Sequence, residues 1–169
     1  MRACWHHPPT VVFAGSFLQV RRPTVGPAIG GEREMATIVV GTDTSAAADL
    51  AVNEAGRLAR ANGAELVVLL VRPDGDLRAV VDPAKAADPE RHLTQLIQRF
   101  PDVTVKARVE HGDAAERICE VAGELKAETI VVGNRGTKGS WWKVKDSVPN
   151  LVLRHAPCSV YIVDTRRAQ

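Results

Sequence analysis

From residue 36 onward the chain alternates between short β-branched apolar runs and longer stretches in which apolar residues recur every three or four positions. The first pattern predicts buried strands and the second amphipathic helices. Thr37-Ile38-Val39-Val40 reads as a strand ended by Gly41-Thr42-Asp43. Ser45 is a capping residue for a helix over 46–61, with Leu50, Ala51, Ala55, Leu58 and Ala59 on its apolar face, and Asn62-Gly63 stops it. Residues 66–71 form a second continuous apolar strand, left through Arg72-Pro73-Asp74-Gly75. Residues 74–88 lack either period and read as an irregular crossing, followed by a helix over 89–99 built on Leu93, Leu96 and Ile97. Val103, Val105, Ala107 and Val109 alternate strictly, the pattern of a strand with one face less buried, as at a sheet edge. Gly112-Asp113 turns into a helix through Ile118, Cys119, Val121, Ala122 and Leu125. A strand over 129–132, a helix over 147–155 and a last strand over 159–163 complete the pattern.

Continuous apolar strands separated by amphipathic helices specify an α/β fold, a parallel, doubly wound sheet with helices on both faces. Right-handed crossovers bring the strand ends after Val40, Val71 and Val132 to one rim, where ligands of such sheets bind. Two marked segments fall there, Gly41-Thr42-Asp43 and Val132-Gly133-Asn134-Arg135-Gly136.

Residues 1–34 break the alternation. Pro8, Pro9, Pro23 and Pro27 interrupt every element they approach, and Gly30-Gly31 closes the segment. The apolar run over 10–20 is preceded only by Arg2 and followed by Arg21-Arg22, the wrong arrangement for a secretory leader. We expect this segment to be a disordered or non-native extension without a fold, with translation starting at Met35 and a single domain over 35–169.

Composition adds exclusions. Hydrophobic residues make up 45% and charged residues 25%, ordinary for one globular domain, while aromatics at 4% leave the core to Val, Leu, Ile and Ala. Residues 1–34 hold four of the 22 basic and two of the 20 acidic residues, so the rest is balanced at 18 of each. A neutral domain argues against nucleic acid as partner, and no apolar run is long enough to span a membrane. Cys4, Cys119 and Cys158 share no metal-ligand spacing and suit reduced thiols in a cytoplasmic protein, the latter two as small buried hydrophobes. His6-His7 lacks further ligands, and no metal site is expected. Neither Gly-x-Gly-x-x-Gly after the first strand nor Gly-x4-Gly-Lys-Ser/Thr occurs, which excludes the dinucleotide and P-loop fingerprints. No catalytic triad or paired carboxylates can be placed at the rim, so no catalytic residue is assigned.

The rim chemistry resides in Gly133 and Gly136, which permit a tight turn and close backbone approach by a phosphate, and in Ser147, a hydroxyl at a helix start. Arg135, Lys138, Lys143 and Lys145 add positive charge nearby, and Trp141-Trp142 is unusual in so aromatic-poor a chain. Asp146 opposes them. A carboxylate about 4 Å from a unit of phosphate charge costs on the order of 4 kcal/mol at an effective dielectric of ~20, less when exposed.

Taken in order, Ile38-Val39-Val40-Gly41-Thr42-Asp43-Thr44-Ser45, His111-Gly112-Asp113, Val131-Val132-Gly133-Asn134-Arg135-Gly136, Ser147-Val148-Pro149-Asn150 and Ala156-Pro157-Cys158-Ser159-Val160 resemble the universal stress protein family over residues 37–164. The resemblance implies a five-stranded parallel sheet in the order 3-2-1-4-5, flavodoxin-like or Rossmann-like, and usually a dimer. One branch of that family binds ATP through Gly-x2-Gly-x9-Gly-Ser/Thr. Here Gly133, Gly136 and Ser147 match, and Asp146 replaces the third glycine. The resemblance further implies nucleoside contacts at Thr42 and Asp43, an adenine contact at Val71, and contacts from Val132 and Val148 beside the glycines. Arg135, Lys138 and Asp146 border the phosphates in this reading.

These expectations describe a dimeric stress-response regulator that binds ATP or another adenine nucleotide with weakened affinity, with Mg2+ only alongside ATP. The alternatives are an interaction dimer without nucleotide, with an unidentified protein partner, and a slow ATP hydrolase. The last strand, Ser159-Val160-Tyr161-Ile162-Val163, is apolar and ends the sheet, so antiparallel pairing with a second copy is the expected route to a homodimer.

Overall fold

The structure is a computed structural model, and it describes residues 11–14, 17–20, 35–74, 89–134 and 147–165. Seven strands occur there: β1 (Val11–Ala14), β2 (Phe17–Val20), β3 (Thr37–Thr42), β4 (Glu65–Arg72), β5 (Val105–His111), β6 (Thr129–Asn134) and β7 (Ser159–Asp164). The described helices are α1 (Ala46–Asn62), α2 (Pro89–Gln98), α3 (Ala114–Glu124) and α4 (Val148–His155). The strands form one sheet in the order β1-β2-β5-β4-β3-β6-β7. Its last five members are all parallel, the 3-2-1-4-5 order of a flavodoxin-like sheet.

Side-chain parity along the strands divides the interior into two layers. Ile38, Val40, Leu66, Val68 and Leu70 face α1 and α2, meeting Ala51, Val52 and Ala55 of α1 and Leu93, Leu96 and Ile97 of α2. Val39, Val67, Leu69, Ile130 and Val132 face the other way, onto Ala115, Ile118, Val121 and Ala122 of α3 and Val152 of α4. Both faces of the central strands are therefore dry, as their unbroken apolar runs require. Asp49 of α1 ties the first layer together, with His92 Nε2 3.1 Å from one oxygen and Arg99 Nη2 3.1 Å from the other.

The helix ends follow local chemistry. Ser45 accepts from the Ala48 N–H at the start of α1, and Gly63 closes the helix with φ 61°, donating to the Ala59 and Arg60 carbonyls. Asp113 accepts from the Ala115 and Glu116 N–H groups at the start of α3.

Two differences from the sequence reading stand out. Residues 1–34 were expected to carry no element, yet β1 and β2 pair antiparallel, and β2 pairs antiparallel with β5 from Val20↔Val105 to Phe17↔Arg108. The prolines at 8, 9, 23 and 27 all lie outside 11–20, so they bound this segment and do not interrupt it. The outer edge of β5 offers main-chain groups, and Phe17 to Val20 satisfy those of Val105 to Arg108 by adding a strand. The second difference concerns strand length. Gly41 and Thr42 remain in register with Leu69 and Leu70, and Gly133 and Asn134 with Val163 and Asp164, so both marked segments begin inside the sheet. The expected crossing over 75–88 lies outside the described residues.

One glycine in α1 sets a packing limit. A Cβ at Gly56 would overlap the ring of Phe100, a buried aromatic beyond α2. Gly56→Ala gains about 1 kcal/mol of helix propensity but overpacks the layer, which costs about 1–3 kcal/mol. Urea denaturation should show a net loss of stability of up to about 2 kcal/mol; a raised midpoint would contradict this packing.

Candidate functional site

The site arises where the chain leaves two neighbouring parallel strands in opposite directions. After β3 it turns into α1 on one face, and α3, which precedes β6, lies on the other. A cavity of about 400 Å³ opens between these exits at the C-terminal rim. Its size suits a small organic ligand.

The cavity wraps over the rim and has two unlike halves. On the α3 and α4 face it is apolar, walled by Leu69, Val71, Ile118, Val132, Val148 and Pro149. On the α1 face its walls are Thr42, Ala47, Ala48, Gly133 and Thr165, with Asp43 at the rim, while Asn134 shares the parity of Ile130 and Val132 and lies at the mouth of the other face. Two glycines let neighbouring side chains pack directly onto the strand backbone beside the cavity. A Cβ at Gly41 would stand 2.7 Å from Ile118 Cδ1, and one at Gly133 3.1 Å from Thr165 Cγ2 and 3.6 Å from Ala51 Cβ. Gly133 has no positive φ, so it serves close approach of the first layer and not the tight turn expected of it.

The turn from β3 to α1 is held by its own side chains. Thr44 adopts φ 63°, a left-handed conformation uncommon for a β-branched residue. The Asp43 carboxylate accepts from the Ser45 N–H at 3.1 Å and its hydroxyl at 2.6 Å, and the Thr42 hydroxyl accepts from the Thr44 N–H at 3.2 Å. The strain sits at the cavity mouth, where such conformations concentrate in functional sites. At the start of α4, Ser147 occupies the cap position with extended φ/ψ, and its side chain makes no capping hydrogen bond to the helix.

The structure thus brings Thr42, Asp43, Val71, Val132, Gly133, Ser147 and Val148 to one cavity. Arg135, Gly136, Lys138 and Asp146 lie outside the described residues, as do Trp141, Trp142, Lys143 and Lys145. Sequence reasoning missed Ile118, Asn134 and Thr165. Ile118 was assigned only to a helix face, and the last strand was ended two residues short of Thr165. Extending β6 and β7 by their parity would have found Asn134 and Thr165; Ile118 is placed only by the packing of α3 on the sheet. Among the described residues no group of three His, Cys, Asp or Glu side chains could hold a metal ion, and no helix is long and apolar enough to cross a membrane.

Cys119 and Cys158 pack beside the second layer, both partly buried. Burial pushes both thiols above the ordinary thiol range, and Cys158 adds to the rise at Cys119. At pH 8 both should alkylate with iodoacetamide about tenfold slower in the native protein than in urea, read peptide by peptide by mass spectrometry. Equal rates would show that the two thiols are accessible and unperturbed.

Comparison with known proteins places this geometry. A model of the universal stress protein family matches residues 35–164. A universal stress protein of Synechocystis is 28% identical over 144 residues, covering 82% of this chain and 92% of the relative. Among solved structures, a universal stress protein in complex with cAMP superposes with a TM-score of 0.64 at 28% identity, covering 77% of this chain and 97% of that one. The universal stress protein UspA from Lactobacillus plantarum gives 0.61 at 27% identity, covering 76% and 97%.

Proposed function

Because the chain belongs to the universal stress protein family, we propose that it is a cytoplasmic stress-response regulator that binds an adenine nucleotide in the rim cavity and acts through binding, not turnover. The observation that carries this reading is the division of the cavity into an apolar half and a polar half. A nucleotide has the same division. Its base is flat and poorly hydrated on its faces, and its sugar and phosphates are polar. Val71, Ile118, Val132 and Val148 suit the base, Thr42 and Asp43 suit the sugar, and Ser147 suits the phosphates. A relative with 28% identity was solved with cAMP, which supports an adenine ligand.

The phosphates are the weak point. Asp146 directly precedes Ser147, where a glycine would leave the backbone open, and its carboxylate opposes phosphate charge. ATP therefore binds more weakly than a nucleotide carrying less charge, such as AMP. Mg2+ would enter only with ATP, where it would offset phosphate charge and Asp146 is the carboxylate that would hold it. Calorimetric titration of the wild type should detect AMP and ATP, and Asp146→Gly should tighten ATP about tenfold with a smaller effect on AMP. Absence of binding at millimolar nucleotide would remove this reading in favour of an interaction dimer that uses no nucleotide. Phosphate release from ATP under the same conditions would favour the slow hydrolase.

We also propose a homodimer through β7. This strand ends the sheet, and Tyr161 and Ile162 are each 40% exposed on it. Antiparallel pairing with the same strand of a second copy would satisfy the free main-chain groups and cover both side chains. Light scattering at micromolar concentration should give a dimer. Ile162→Asp should raise the dissociation constant on the order of 100-fold by burying an unpaired charge. A monomeric wild type would overturn the proposal.

A further inference from the structure

Two buried side-chain polar atoms have no hydrogen-bond partner among the described residues, Arg117 Nε and Thr165 Oγ1. They differ in kind. Arg117 keeps an ion pair through Nη1 to Glu120 at 2.7 Å, and it is no part of the cavity wall. Thr165 has no such outlet. It lines the cavity, is 0% exposed, and has one polar side-chain group, which is the orphaned hydroxyl.

Its position is fixed by the backbone. Thr165 follows β7, and its N–H donates to the Asn134 carbonyl at 3.2 Å, extending the β6–β7 ladder by one residue. Parity with Tyr161, whose hydroxyl donates to Glu54 of α1, and with Val163, which packs in the first layer, puts Thr165 on the α1 face. There its methyl group covers Gly133. A valine would fill this space equally well without burying an unpaired hydroxyl, so packing alone gives no reason for threonine.

We propose that Thr165 is a ligand-contact residue whose hydroxyl hydrogen-bonds a sugar hydroxyl of the bound nucleoside, and so selects ribosyl ligands over deoxy ones. This rests on the nucleotide reading of the same cavity. The polar half of the cavity carries a carboxylate, Asp43, which repels phosphate and accepts hydrogen bonds from sugar hydroxyls. A threonine hydroxyl in that half both donates and accepts, which matches a sugar hydroxyl, itself donor and acceptor. A buried protein hydroxyl left unpaired by a ligand lacking its partner group is a strong source of discrimination.

The test is calorimetric titration of the full chain with adenosine, 2′,3′-dideoxyadenosine and AMP, using wild type, Thr165→Val and Thr165→Ser. Thr165→Val should weaken adenosine and AMP about fivefold to tenfold and leave dideoxyadenosine unchanged, and Thr165→Ser should restore the preference. Without ligand, Thr165→Val should melt no lower than wild type, since it loses no protein hydrogen bond. Equal losses for adenosine and dideoxyadenosine, or a lowered melting temperature, would give the hydroxyl a structural role and overturn the proposal. A loss for AMP but not adenosine would assign the contact to phosphate and overturn the sugar assignment. If wild type binds none of the three, the nucleotide reading fails and this proposal with it; if wild type binds and Thr165→Val binds equally, only this proposal fails.

Discussion

The structure depends on the handedness of its crossovers. Every connection between parallel strands must return over the sheet on the side that right-handed twist allows. Extending the sheet outward from β3 in both directions therefore sends α1 and α2 to one face and α3 and α4 to the other. At the junction of β3 and β6 the neighbouring connections diverge, and a cavity opens between them. The two interior layers, the rim cavity and its unlike halves are consequences of that one geometric rule.

The rim shows what it costs to keep such a gap usable. Gly41 and Gly133 face opposite layers, and each lets a neighbouring side chain, Ile118 or Thr165, close onto the strand where a Cβ would collide with it. Between β3 and α1 the chain accepts a left-handed threonine, a conformation that costs about 1–2 kcal/mol, and offsets it with local hydrogen bonds from Asp43 and Thr42. The interior beneath is dry on both faces of the central strands.

Much of this was legible in the sequence because parallel strands and their helices announce themselves by period. The order of elements from Thr37 to Asp164 and the apolar faces of α1 and α3 can be read from spacing alone. Strand ends were less legible, since Gly41-Thr42 and Gly133-Asn134 look like turn residues while hydrogen-bonding as strand. The hairpin of β1 and β2 was hidden for another reason. Its stabilisation comes from the free edge of β5, more than eighty residues away, and proline counting senses only local breaks. Thr165 escaped notice because a threonine after a strand has no local signature. Its interest lies in the absence of a partner, which only the folded chain reveals.

The two edges of the sheet are unequal. On the β5 side the hairpin pairs with Val105 to Arg108 and leaves only a four-residue strand outermost. On the other side β7 presents six residues with apolar side chains exposed. A sheet open at one end only has a definite valence. Any chain that joins β7 uses up the single strong attachment point, so growth stops there, whereas two equal edges would permit an endless ribbon. The hairpin shortens what one edge can offer to another chain and leaves β7 as the longer of the two.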